Sequence, residues 1–449
     1  QAEDGIRDSV ASRGLGDVYK RQVLEWPEAT EALPAMSLER FKATLFPFAA
    51  GTGLGWDAVH PRALLRLPDS TLRRWMASML KCERFGLWPP DVGVVVVVLL
   101  PKGDGTFRPI GLLPRRPRVW MRARRDEAKQ WEVGCDRDFL YAGTGRGSTV
   151  AAWKQAARAE VAAASNEQYG QVLLDLVKAF ERIPYRVLLR EAFNLNYPLR
   201  MLRLAIATYK LPRVIRVGGA ISDIVRAVRG IVAGSGLATT EMRLVMIDIV
   251  DQASKVHWTV TPTLFVDDLS CEQPGDTEFI KTELGGFTRH VVTRIHADCM
   301  EVSGTKSLVS ASHPSLGEAL QSELQQFRIP SVLRVKSLGV GLAAGTARNM
   351  KVMKARLKNF SKRIPRFRML KRAGVDTAKL VRTGGLAAMM HGLGGSGVSP
   401  SMLLQQRRAV LAAAAPKGGL GGQELEVALM IACLLYTSPS PRDATLSRM

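Results

Sequence analysis

Leu264-Phe265-Val266-Asp267-Asp268-Leu269 is the stretch on which the fold turns. Two adjacent aspartates follow an apolar, strand-like run, Val260 to Val266, and precede Ser270 to Asp276, which reads as a polar turn. The pattern predicts a hairpin with paired carboxylates at its tip. Adjacent carboxylates repel each other, so the pairing is costly unless a cation sits between or beside them. A divalent metal site and phosphoryl transfer are the matching chemistry. The bland alternative is a solvated turn at a strand end.

A second run, Val172-Leu173-Leu174-Asp175-Leu176-Val177-Lys178-Ala179-Phe180-Glu181-Arg182-Ile183-Pro184, starts as a buried strand and turns helical over Tyr185 to Phe193. A carboxylate at a strand end with an aromatic five residues on suits a nucleotide site. Asp175 would share metals with Asp267 and Asp268, and Phe180 would lie under the sugar and exclude a 2′-hydroxyl. The competing reading makes Asp175 a helix cap and Phe180 a core residue. Taken with the double aspartate, the site reading is preferred.

These runs resemble motifs A and C of reverse transcriptases, in particular those of non-LTR retrotransposons. Further blocks match in the family's order: Thr52 to Arg62, Leu99 to Pro114 of the fingers, Tyr141 to Thr149, and Arg229 to Thr239 as motif B. Val302-Ser303-Gly304-Thr305-Lys306-Ser307 resembles motif D and Lys336-Ser337-Leu338-Gly339-Val340 motif E. Together they span residues 50–342, and eight blocks in one order are hard to obtain by chance. The resemblance implies an α+β fold of right-hand polymerase architecture, with fingers, an antiparallel-sheet palm built on an RRM-like core, and a helical thumb.

The ends are set apart. Ser12 to Gln22 and Cys433 to Asp443 are, with suitable codons, reverse complements of one another. Residues 1–22 and 433–449 are therefore expected to be adapter-derived linker, and the rest a fragment. Between them the expected division is 23–170 for N-terminal helices and fingers, 171–342 for the palm and 343–432 for a basic helical thumb.

Hydrophobic residues are 46% and charged residues 23%, ordinary for a globular chain. The net charge of +22 predicts a polyanionic partner or an anionic membrane surface. No apolar run reaches the ~20 residues that span a bilayer. Val92 to Leu100, with five consecutive valines, reads as a buried strand. Nucleic acid is the better partner, and no membrane association is expected. Cys82, Cys135, Cys271 and Cys299 show neither zinc spacing nor a disulfide framework. That suggests a reducing compartment, nuclear or cytoplasmic, and not secretion.

The positive charge is uneven. Residues 345–385 hold thirteen Lys or Arg and one acid, Asp376. Lys351, Lys354, Lys358 and Lys362 recur at three- and four-residue steps, with Met350, Met353, Leu357 and Phe360 on another face. This reads as an amphipathic basic helix ended by Pro365. These lysines and Arg363 are candidate nucleic-acid contacts, by position the thumb's grip on a template–primer duplex. Arg115, Arg116, Arg118, Arg122, Arg124 and Arg125 form a second set, read as template or nucleotide contacts or, equally, a solvated loop. Gly392 to Gly397 reads as a linker or loop. Palm strands are expected at Gln171–Leu174, Arg213–Val217, Thr263–Val266, Ser307–Ala311 and Arg334–Leu338.

The activity implied by the resemblance is RNA-directed DNA synthesis, with an RNA template, a DNA primer and dNTPs. Asp175, Asp267 and Asp268 would hold two Mg²⁺ ions, Mn²⁺ being possible. Lys102 and Arg108 would clamp phosphates, Gly234 would admit template or nucleotide close to the backbone, and Lys306 is a candidate proton donor to pyrophosphate. Departures stand beside the matches. Ala233 replaces the usual glutamine of motif B and Gly236 its proline; Phe265 and Val266 replace Tyr and Ala, swaps a strand should tolerate; Glu181 replaces Asp. An RNA-directed RNA polymerase shares the palm and double aspartate, but puts a smaller or polar residue at the position of Phe180. A non-catalytic, maturase-like RNA-binding palm is disfavoured by retention of all three aspartates.

Overall fold

A computed structural model describes residues 24–27, 32–102, 105–143, 145–345 and 348–414. Both expected linkers, residues 103–104 and residues 415–432 lie outside the described residues. The described residues fall into two compact units: those within Gln1–Arg137, Leu176–Gln252 and Thr293–Glu301, and those within Asp138–Asp175, Ala253–Val292 and Val302–Met449. The strands are β1 (Val95–Pro101), β2 (Phe107–Leu112), β3 (Gln168–Leu174), β4 (Arg213–Val217) and β5 (Ala220–Ile221). There follow β6 (Thr261–Phe265), β7 (Asp268–Gly275), β8 (Leu308–Ala311), β9 (Arg334–Ser337) and β10 (Val340–Ala343).

In the first unit the strands run β2-β1-β4-β5. The valine run forms β1, antiparallel to β2 (Val96 opposite Leu112) and parallel to β4 (Val95 opposite Arg213). Arg213–Val217 is thus a strand as expected, but it joins the fingers-block hairpin and not the sheet that carries Asp175. A β-branched strand such as β1 needs a partner on each edge, and Val214 and Ile215 supply one.

The arginine-rich segment is not a loop. It forms helices Arg115–Ala123 and Arg125–Gly134 that break at Arg124. Arg124 is 1% exposed. Its guanidinium donates to both oxygens of Glu83 at 2.7 Å, to Glu127 at 2.8 Å and to the Pro34 carbonyl at 2.8 Å. Arg118 donates to the carbonyls of Gly53 and Leu113, and Arg116 pairs with Asp91. A buried charge is tolerable only when paired this fully.

The second unit holds the antiparallel sheet β6-β7-β3-β8. In chain order these are strands two, three, one and four. Helical connections, Ala238–Val256 before β6 and Thr277–Ala297 before β8, follow the first and third strands. That is the split βαβ arrangement of an RRM-like core. The unit contributes the antiparallel sheet of an α+β fold.

Ser270 to Asp276 is not a turn. Up to Gly275 it continues β7, paired along its length with β3 (Leu174 opposite Leu269, Gln168 opposite Gly275) and as far as Glu272 with β6. Its polar residues are buried: Ser270 at 4%, Glu272 at 0% and Gln273 at 3% exposed. Ser270 and Glu272 line a polar sheet face, whereas Gln273, opposite Gly170, lies on the other face and donates to the Pro274 carbonyl at 2.9 Å. Gln155 donates to Ser270, Arg158 pairs with Glu272 and bonds Thr263, and Gln171 reaches Glu272 at 3.2 Å. Gln155 and Arg158 come from the Ser148–Ala164 helix, which lies on this face. Side chains alternate along a strand. Gly170 accordingly meets Ile280 and Leu284 of the Thr277–Ala297 helix on the other face.

After the β9–β10 hairpin the described elements are helical. The Lys351–Ser361 helix buries Met353 and Phe360, with Met350 and Leu357 packed beside them, and leaves its lysines exposed, as the periodicity predicts. Pro365 does not end that helix. It stands in the first turn of the next, Ile364–Arg372, where a missing N–H costs nothing. Gly392 to Gly397 is not a linker: Leu393–Ser396 is a short helix with Leu393 buried. A Cβ at Gly392, whose φ is +82°, would fall 2.5 Å from Val340, so only glycine lets this segment close on β10.

Candidate active site

Register brings the aspartates together. Leu174 faces Leu269, so Asp175, the residue after β3, and Asp268, the first residue of β7, end facing antiparallel strands. Phe265 pairs with Asp268 across a two-residue turn, Val266-Asp267. Val266 is not in a strand. It takes the turn's first position at φ +63°. That region is unfavourable for a β-branched side chain, and such strain persists only where its surroundings enforce it. The swap read as harmless therefore sits at the most constrained point of the hairpin.

Two bonds fix Asp175 to the segment carrying Lys306, and a third lies within that segment. The Asp175 N–H donates to Ser307 Oγ at 3.0 Å, its carbonyl accepts from Ser303 N at 2.8 Å, and Lys306 N donates to Ser303 Oγ at 3.3 Å. Asp175, Asp268 and Lys306 line one cavity of about 100 Å³ with Lys336, Gln155, Ser270 and Thr263. Lys336, at the end of β9, was missed as a site residue by sequence reasoning. Its only signal was membership of the Lys336 to Val340 block. The adjoining β9–β10 turn, Leu338-Gly339, has positive φ at both positions, as a two-residue hairpin turn prefers. Arg356 Nη2 holds it by donating to the Gly339 carbonyl at 2.7 Å.

The carboxyl of Asp268 is pushed up to about 6 by burial and by the like charges of Asp267 and Asp175. Asp268 keeps an exposed edge at the strand end, so repulsion from the two neighbours is the cause best supported by geometry. Among the described residues no three His, Cys, Asp or Glu groups form a preassembled metal cage. What the chain supplies is carboxylate oxygen donors beside Lys306 and Lys336, and oxygen donors suit hard cations such as Mg²⁺ or Mn²⁺.

The remaining candidates stand in the first unit or on the basic helices. Lys102 and Arg108 are exposed at the ends of the β1–β2 hairpin. Phe180 is half-buried in the short Ala179–Arg182 helix, and its carbonyl accepts from Ile231 N at 2.8 Å. The Ile183 carbonyl likewise accepts from Gly230 N at 2.8 Å, so the motif A and motif B blocks are stitched together by backbone. Gly234 has φ +113°, and a Cβ there would fall 2.5 Å from the Gly111 carbonyl oxygen of β2. The close approach requiring glycine is thus to this chain's own strand. Lys351, Lys354, Lys358, Lys362 and Arg363 are all exposed.

No family model matches the chain, and no curated protein does. Among solved structures it is similar to an apo telomerase of Candida tropicalis truncated from its C-terminal domain, at 10% identity and TM-score 0.41 over 65% of this chain and 62% of that one. It is also similar to an insertion-loop deletion mutant of the RNA-dependent RNA polymerase of a human picorbirnavirus, at 12% identity and TM-score 0.45 over 80% of this chain and 65% of that one. The chain therefore spans under two thirds of the length of each. Likenesses at this level identify no family.

Proposed function

We propose that this chain is an RNA-directed DNA polymerase of a retroelement of the non-LTR kind, joining dNTPs to a primer 3′-hydroxyl on an RNA template. The observation that carries the reading is the register of β3 against β7. It sets Asp175 facing Asp268 with Asp267 in the adjoining turn, and Lys306 in the same cavity.

In this reading Asp175, Asp267 and Asp268 hold two Mg²⁺ ions. When bound, such ions acidify the attacking hydroxyl and neutralise the triphosphate. The chain's own part is positional and electrostatic. The β6–β7 turn presents Asp267 and Asp268, the Ser303 and Ser307 bonds hold Asp175, and Lys306 places a proton source at the cavity wall. Phe180, Lys102 and Arg108 keep the sugar-gating and phosphate-clamping roles given by their sequence blocks.

The test is primer extension. The protein should extend a DNA primer on an RNA template with Mg²⁺ and dNTPs, and Asp267→Ala should abolish it. Unchanged extension by that variant would exclude the assignment. Extension with NTPs and not dNTPs would make the chain an RNA-directed RNA polymerase.

A further inference from the structure

The Lys351–Ser361 and Pro400–Ala414 helices enclose a groove of about 570 Å³. We infer that this groove is a subsite for one unpaired nucleotide of single-stranded RNA or DNA, separate from any contact with duplex; the inference rests on the polymerase reading above.

Its three surfaces have different chemistries. Lys354 and Lys358 form a cationic rim, and among the described residues no acid lines the groove. Met350 and Met402 supply an apolar floor, Met402 being 7% exposed. Ser399, Ser401 and Gln405 make a hydrogen-bonding wall at the start of the fifteen-residue Pro400–Ala414 helix. Ser399 caps that helix, accepting from Met402 N at 3.3 Å, and its hydroxyl meets that of Ser401 at 3.1 Å. A helix start adds a fixed positive field next to the two lysines.

Size and shape decide the ligand. A volume within the few hundred to a thousand Å³ of small-ligand sites accepts a nucleotide. A duplex keeps its bases stacked inside, so it could touch only the lysine tips and would leave floor and wall unused. An unpaired strand can rotate a base inward, lay its face on polarizable thioethers and leave its phosphate to the rim.

The experiment compares binding of a fluorescent single-stranded oligonucleotide and a blunt duplex of equal length by anisotropy, using the whole protein and Ser401→Glu. Glutamate in a first helical turn favours the helix, so the variant should fold. Single-strand affinity should fall about tenfold, with duplex affinity changed less than about twofold. Equal loss for both would make the groove a duplex contact, and loss for neither would remove it as a nucleic-acid site; either result overturns the inference. If the wild-type protein binds single strands through the groove but extends no primer, the polymerase reading fails while the subsite stands.

Discussion

Asp175 and Asp268 end facing antiparallel strands, one residue beyond the Leu174–Leu269 pair. Every consequence for chemistry follows from that placement, because two carboxylates separated in sequence by a long connection share one cavity.

Removing the charge of Asp268 without changing its shape should remove activity and spare the fold. Asp268→Asn is expected to lower primer extension by about 10³-fold, some 4 kcal/mol of barrier. Because the substitution relieves repulsion from Asp267 and Asp175, the denaturation midpoint should stay level or rise. A large drop in the midpoint would mark Asp268 as structural.

Phe180 should gate the sugar. Phe180→Val is expected to admit ribonucleotides while retaining deoxyribonucleotide incorporation, read by competing dNTP and NTP in a single-nucleotide extension assay. Incorporation that stays strictly deoxy would move the gate elsewhere.

Gly234→Ala should cost stability before it costs substrate contact. The new methyl would lie 2.5 Å from a β2 carbonyl at a φ of +113°, so a loss of about 1–3 kcal/mol is expected in denaturant unfolding. Full stability with lost extension would instead give Gly234 a direct substrate role.

Arg124 should be among the most sensitive surface-remote positions. Arg124→Met leaves Glu83 and Glu127 buried without their shared cation, at an expected cost of about 3–5 kcal/mol. The double variant with Glu83→Gln should recover part of that loss, as seen by the unfolding midpoint.

Glu241 gives the fold a pH dependence. It is fully buried, its carboxyl accepts from Tyr209 at 2.5 Å, and burial pushes it up to about 8. A carboxyl raised above its unfolded value keeps its proton in the folded state while the unfolded chain loses it. Stability from this group is therefore greatest below the unfolded value of 4.5. It declines as pH rises to about 8, by about 1.4 kcal/mol per pH unit at most. Glu241→Gln should flatten that decline in unfolding experiments between pH 5 and 8; an unchanged slope would assign the dependence elsewhere.

Local signals carried much of the structure. Apolar patterning located the Tyr185–Asn194 helix, and β-branched runs located β1 and β3. The double aspartate announced a charged turn because its local cost is visible in one dimension. The polarity of Ser270 and Glu272 pointed the wrong way, since their partners Gln155, Arg158 and Gln171 are close only after folding. Arg124 misled for the same reason: Glu83 neutralises it from forty-one positions away.

By itself the sequence determined which residue types could do chemistry: three carboxylates at the ends of apolar runs, a lysine in a turn and a basic amphipathic helix. Tertiary structure alone decided which of them meet. Strand register set Asp175 against Asp268, the hairpin forced Val266 into a left-handed turn, and β9 delivered Lys336 to the same cavity. The reason is physical: propensity and periodicity act over a few residues, whereas pairing register and buried ion pairs depend on segments that become neighbours only when the chain has folded.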